Sequence, residues 1–259
     1  MMPMTVHGTP LQPSSARTVT CHVWVSRRLP RPERHLGLLD EAERARCSGF
    51  VHERDLSLFV TGRVLARSAL GSLTGLAPDA VRLRTRCAGC GGAHGKPQVI
   101  GEAAGWELSI SHSGDLVAVA MADGHPLGVD VEQFLTPEEP GIPVEYALVL
   151  TPEEQAAVES LPVEERAGAC LTLWTRKEAV LKATGEGLNT PMDSFTVSAA
   201  DQPPAVLAWH GAETSDRPFP AMVDLPRIDG CFGALAVLGA DSITPYVRPG
   251  AEIVAERLR

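Results

Sequence analysis

Aromatic residues are scarce, 5% of the 259-residue chain, and no apolar run approaches the roughly 18 residues that a membrane-crossing helix needs. The opening MMPMTVHGTPLQPSSART lacks both the charged start and the apolar stretch of an export signal. Residues 1–18 are therefore expected to form a flexible tail, and the protein is expected to be cytoplasmic with no membrane partner. The six cysteines are too scattered for a disulfide framework and fit reduced thiols. No G-x-S-x-G elbow occurs, and the Ser, His and Asp of SHSGD lie too close on one strand and turn to make a hydrolytic triad.

Charge is abundant but unevenly placed. Between Arg17 and Lys96 there are 13 Arg and one Lys against seven acids, a local charge of +7, while the rest of the chain carries −16 within the total of −9. Arginine forks in the first part suit phosphate groups. The same segment has no aromatic interleaving and no nucleic-acid motif, so nucleic acid is not an expected partner.

Helical spacing predicts helices in DEAERARCSGF and in HERDLSLFVTGRVLARSALGSLTGL, the second closed by GLAP. LTPEEQAAVESLP opens with Thr151 as N-cap, Pro152 at the first helical position and Glu154 completing a capping box. A longer helix is predicted over 163–184, with Gly185 ending it. Short strands are predicted in AVRLRT, WELSISHS, LVAVAMA, LGVDVE, SFTVSAA, AVLAWH and GCFGALAVLG. Helices mixed with short, mainly antiparallel strands give an α+β class in two similar-sized halves, 19–124 and 125–259.

Chemistry concentrates in two stretches. PLGVDVEQF places Asp130 and Glu132 on one side of a strand, with Leu127, Val129 and Val131 on the other. Paired like charges fit either a solvated acidic edge or a shared cation. LWTRKEAVLKATGEGL puts Glu178 and Lys182 on one helical face, with Trp174 one turn earlier. Glu178 is a third carboxylate able to complete an oxygen set for Mg2+, and Lys182 would then face substrate phosphates.

GVDVE, WTRKEAVLKATGEGL, SISHSGDLVAVA, the GKP of Gly95–Pro97 and RDLSLFVTGRVLAR together resemble the 4'-phosphopantetheinyl transferases, most closely the larger kind built of two halves. That resemblance covers about residues 40–188. It implies a pseudo-twofold pair of halves, each a short sheet packed with helices, in a monomer whose active site lies between them. It implies transfer of phosphopantetheine from coenzyme A to a serine of acyl or peptidyl carrier proteins, with release of 3',5'-ADP. Asp130, Glu132 and Glu178 would hold Mg2+, Glu178 would take the serine proton, and Lys182 would assist the leaving phosphate. Arg54, Arg63, Lys96, Pro97, Ser111 and His112 would bind coenzyme A.

The loop RCAGCGGAHGKP adds Cys87, Cys90 and His94 in C-x2-C-x3-H spacing. A closed zinc site uses four ligands, and only distant Cys21 or Cys47 offers a fourth, so structural zinc is not the expectation.

Overall fold

The computed structural model describes residues 16–85, 91–92, 95–134, 148–187, 190–211 and 216–257. The first part of the chain contains β1 (Thr18–Arg27), α1 (Glu41–Cys47), α2 (Glu53–Thr74), β2 (Arg82–Thr85), β3 (Pro97–Ile100), β4 (Trp106–Ser113) and β5 (Leu116–Asp123). Then come β6 (Leu127–Gln133), α3 (Pro152–Glu159), α4 (Val163–Thr184), β7 (Phe195–Val197), β8 (Val206–Trp209), β9 (Ala221–Asp224), β10 (Cys231–Val237), β11 (Ser242–Pro249) and α5 (Gly250–Arg257). No described helix is long and apolar enough to cross a membrane.

Local chemistry sets the helix ends. Thr151 Oγ1 accepts from Glu154 N while Glu154 Oε2 accepts from Thr151 N, the reciprocal cap expected before α3. Asp40 and Glu43 make the same arrangement before α1. Gly185 ends α4 at φ 78°, a left-handed conformation that a side chain would strain.

The architecture is two-part α/β. A four-stranded sheet runs β11-β1-β5-β4 and a three-stranded antiparallel sheet runs β6-β10-β9, with β2-β3 and β7-β8 as smaller pairs. Helix α2 packs Val64, Leu65 and Leu70 against Trp24, Leu108 and Met121 of the first sheet. Helix α4 packs Leu173, Val180 and Leu181 with Phe195, Ala234 and Ala236 in the second part. Between the two sheets, Val23 and Ala118 meet Val129, Val131 and Leu235 in a shared core. Burying each such large aliphatic side chain contributes about 1.5–3 kcal/mol before entropy is counted.

Two features depart from the expected organisation. Residues Ser242–Arg257, which a division at 125 groups with the second half, return to the first: β11 pairs in parallel with β1 from Thr18↔Ser242 to Val25↔Pro249, and α5 packs Ile253 and Val254 into the α2 core. Arg17 and Thr18, grouped with the tail, are held by Asp241 and Ser242. β11 contains Pro245 and Pro249, which weaken its strand signal and are tolerated because it is an edge strand. Cys87, Cys90 and His94 lie outside the described residues, as do residues 1–15.

Candidate active site

β6 carries the carboxylates to the meeting place of the two parts. Its Leu127, Val129 and Val131 enter the shared core, so Asp130 and Glu132 turn toward α4. The helix comes close because residue 128 is glycine: a Cβ there would lie 2.0 Å from Ala179 O and 2.7 Å from Lys182 Cβ. Any larger residue at 128 would push α4 off the strand.

Lys182 Nζ donates to Asp130 Oδ1 at 2.5 Å and to Ser111 Oγ at 3.0 Å. Ser111 Oγ in turn donates to Asp130 Oδ1 at 2.7 Å, and Ser113 Oγ donates to Glu132 Oε2 at 2.6 Å. Asp130 is only 2% exposed, and its Oδ2 is buried without a hydrogen-bond partner. Burial raises its pKa above the usual carboxylate range, opposed by the Lys182 ammonium and the Ser111 hydroxyl. Burial also raises Glu132, with the Asp130 charge adding to the shift and Ser113 opposing it. Glu178 is raised by burial and by proximity to Asp130 and Glu132, against the pull of Lys182. The three carboxylates therefore feel one another, and one lysine faces them all.

A hard divalent cation suits this donor chemistry: the groups are all oxygen acids, and one buried carboxylate oxygen has nothing to accept from. Among the described residues, however, no three His, Cys, Asp or Glu side chains are gathered into a metal cluster. Asp130 is engaged by Lys182 and Glu132 by Ser113.

On the other side of β4 lies a cleft of about 350 Å³ between α2, β4 and the start of β3, lined by Arg46, Phe59, Arg63, Pro97 and His112 among others. The guanidinium carbons of Arg46 and Arg63 stand 5.0 and 5.2 Å from the Phe59 ring centroid. Arg63 is held by Glu43 (3.4 Å) and by Thr85 Oγ1 (3.2 Å) but keeps Nη1 buried and unbonded. Strand alternation thus separates neighbours that the sequence pattern had grouped. Ser111 joins the carboxylates, and His112 lines the cleft.

Two further cations lie elsewhere. Arg54 is bound to Asp115 at 3.2 Å and lines a different, smaller pocket of about 220 Å³ with Arg27, Ser113 and Asp229. Lys96 turns its Nζ to Leu127 O at 2.9 Å, with Glu107 at 3.8 Å, and burial lowers its pKa. Arg46 and Ser113 were not singled out from the sequence. Arg46 carried only the signal of general basic charge, whereas Ser113 belongs to the alternate serines of SISHS, a visible period of two.

Models of two families match the chain. One, described as the 4'-phosphopantetheinyl transferase superfamily, matches residues 126–219, and one described as 4'-phosphopantetheinyl transferase, N-terminal, matches residues 31–124. Among curated relatives, 4'-phosphopantetheinyl transferase HetI of Nostoc sp. is 29% identical over 227 residues, covering 84% of this chain and 87% of the relative. 4'-Phosphopantetheinyl transferase Sfp of Bacillus subtilis is 30% identical over 166 residues, covering 64% and 68%. 4'-Phosphopantetheinyl transferase AcpT of Salmonella typhimurium is 32% identical over 127 residues, covering 49% and 58%.

Proposed function

From the premise that the chain belongs to the 4'-phosphopantetheinyl transferase superfamily, and is an enzyme of that class, we propose that it transfers the phosphopantetheine arm of coenzyme A to a serine of apo acyl or peptidyl carrier proteins. The observation that carries this reading is the contact of Lys182 with Asp130 and Ser111, with Glu132 and Glu178 within electrostatic reach, back to back across β4 with a cleft lined by Arg46, Arg63 and His112. An acid-and-lysine cluster next to an arginine-lined cleft suits a substrate with a pyrophosphate at one end and a phosphorylated nucleoside at the other.

In this reading Arg63, with Arg46 and His112, takes the phosphoadenosine, and Pro97 shapes the floor of the cleft. Asp130, Glu132 and Glu178 are the residues that would hold Mg2+, which when bound neutralises charge on the pyrophosphate. Glu178, made more basic by burial and by its acidic neighbours, accepts the proton of the carrier serine as the serine oxygen forms its bond to phosphorus. The P–O bond to the 3',5'-ADP portion breaks, and Lys182 neutralises the oxygen that leaves. For Lys182 this means exchanging Asp130 and Ser111 for substrate phosphate. Arg54 and Lys96 lie outside the cleft that holds Arg63 and are engaged with Asp115 and Leu127 O, so their part is secondary to that of Arg63.

The basic segment from Arg17 to Lys96, with its local +7, suits the acidic helix that carrier proteins present beside their serine, and a single chain acting alone, divided near residue 124 with β11 and α5 returning to the first part, fits the same picture. The test is incubation with coenzyme A, Mg2+ and a panel of apo carrier domains, read by intact mass. A gain of one phosphopantetheinyl group with release of 3',5'-ADP is expected, and no gain on any carrier overturns the reading.

A further inference from the structure

The alternate serines of β4 form a second set of rungs between the two sheets. Val129 N donates to Ser109 Oγ at 3.0 Å, Val131 N to Ser111 Oγ at 3.4 Å, and Gln133 N to Ser113 Oγ at 3.0 Å. Hydroxyls stand here where a neighbouring strand would offer carbonyls, because β6 pairs by its backbone with β10 on its other edge. Two of the three hydroxyls do more than accept. Each also donates forward to the carboxylate one residue before its backbone partner, Ser111 to Asp130 and Ser113 to Glu132. Ser109 lacks that second contact because the corresponding residue is Gly128, which has no side chain.

We propose that Ser113 is a positioning residue for the metal site: it clamps Glu132 at two points, the strand backbone at Gln133 N and the side chain at Oε2. This rests on the assignment of Glu132 as an Mg2+ ligand. A carboxylate on a side chain with two free torsions beyond Cβ needs such a partner to stay aimed, and Ser113 holds Oε2 while the Trp174 side chain lies beside the same carboxylate. Removing an outer hydrogen bond to a ligating group typically costs ten- to a hundredfold in metal affinity. Ser109 supplies the internal control, since its hydroxyl makes the same kind of backbone rung and touches no carboxylate. If the serines serve only to join the sheets, Ser109 and Ser113 are equivalent. If Ser113 aims a ligand, they differ.

The experiment measures Mn2+ binding to the full chain by titration calorimetry, with thermal melting alongside, for the parent protein and for Ser113→Thr, Ser113→Val and Ser109→Ala. Thr and Val have the same shape and differ by a hydroxyl in place of a methyl, so the pair separates hydrogen bonding from packing at the partly exposed Ser113. Ser113→Val should bind Mn2+ at least about tenfold more weakly than Ser113→Thr, and Ser109→Ala should lower the melting temperature while keeping parental affinity. Equal Mn2+ affinity in the Thr and Val variants, with the parent binding normally, overturns the clamp and leaves the metal reading standing. So does a loss in Ser109→Ala as large as in Ser113→Val. Absence of Mn2+ binding by the parent overturns the ligand assignment and the clamp with it.

Discussion

Two lysines of α4, little more than one turn apart, each meet a carboxylate and end in different states. Lys177 is wholly buried, with Glu154 Oε2 at 2.7 Å and bonds to Met192 O and Phe195 O, both at 2.7 Å. Glu154 also accepts from Thr151 N and Val197 N, so the oxygens of that pair are used. Lys182 keeps 26% of its side chain exposed, and its partner Asp130 has one oxygen with nothing to bond. A pair with every group satisfied can only hold the chain together, here α4 to α3 and β7. A pair with a spare oxygen and a solvent-facing ammonium has bonding capacity left over, which in the proposed reading phosphate and metal would take up. Burial alone therefore does not separate the two lysines; unfinished hydrogen bonding does.

Breaking the closed pair should have the largest effect. Lys177→Met should lower stability by about 3–5 kcal/mol in denaturant titration, because Glu154 is left charged in the core. Replacing Glu154 with Gln in the same chain should recover part of that loss, because the buried charge is gone while an oxygen remains to accept from the backbone of Thr151 or Val197. A Lys177→Met protein that melts like its parent would remove the distinction between the two lysines.

On the open side, Glu178→Gln should leave the melting temperature nearly unchanged and lower transfer to an apo carrier by at least about a hundredfold, the scale of losing a general base or metal ligand. Near-parental transfer at saturating coenzyme A and Mg2+ would separate Glu178 from the chemistry.

Lys182→Ala should lose transfer on a comparable scale and should also destabilise the metal-free protein, because the buried Asp130 loses its cation and keeps only the Ser111 hydroxyl. Added Mg2+ should raise its melting temperature more than it raises the parent's. No amount of Mg2+ should rescue Lys177→Met in this way. An equal Mg2+ response in parent and Lys182→Ala would mean that Lys182 and the cation do not share Asp130.

The smallest effect reports how dry the closed side is. Cys170 lies on the buried face of α4 with the Lys177 core, and burial pushes its thiol up to about 11 from 9.0. The folded state keeps that proton while the unfolded chain loses it, so the stability that Cys170 contributes is full below pH 9.0 and declines as the pH rises toward about 11. The stability difference between the parent and Cys170→Ala should therefore shrink by up to about 1.4 kcal/mol over the first pH unit of that window. A flat difference would indicate water beside the thiol.

Much of this was legible in the chain itself, unevenly. The limits of α3 and α4 follow from caps that act within four residues, Thr151 with Glu154 and Gly185 in its left-handed turn, and the structure places them as expected. β1, β3, β9, β11 and α5 were absent from the expected elements. β1 carries a clear alternation in TVTCHVWV, but β11 hides behind two prolines, and its place beside β1 rests on a pairing across more than two hundred residues. No local pattern encodes such a contact.

The sequence by itself determined the direction in which each side chain leaves its element. Periods of 3.6 and 2 put Glu178 with Lys182, put Asp130 with Glu132, and set Lys177 and His112 off from their neighbours. What waits in each direction was decided by tertiary structure. Lys177 met a carboxylate from α3 and carbonyls around β7, Lys182 met β6 across the gap left by Gly128, Lys96 met a backbone carbonyl, and Arg54 met Asp115. The reason is physical. A side chain's direction depends on backbone torsions a few residues long, whereas whether its charge is finished or left open depends on groups brought from elsewhere in the chain.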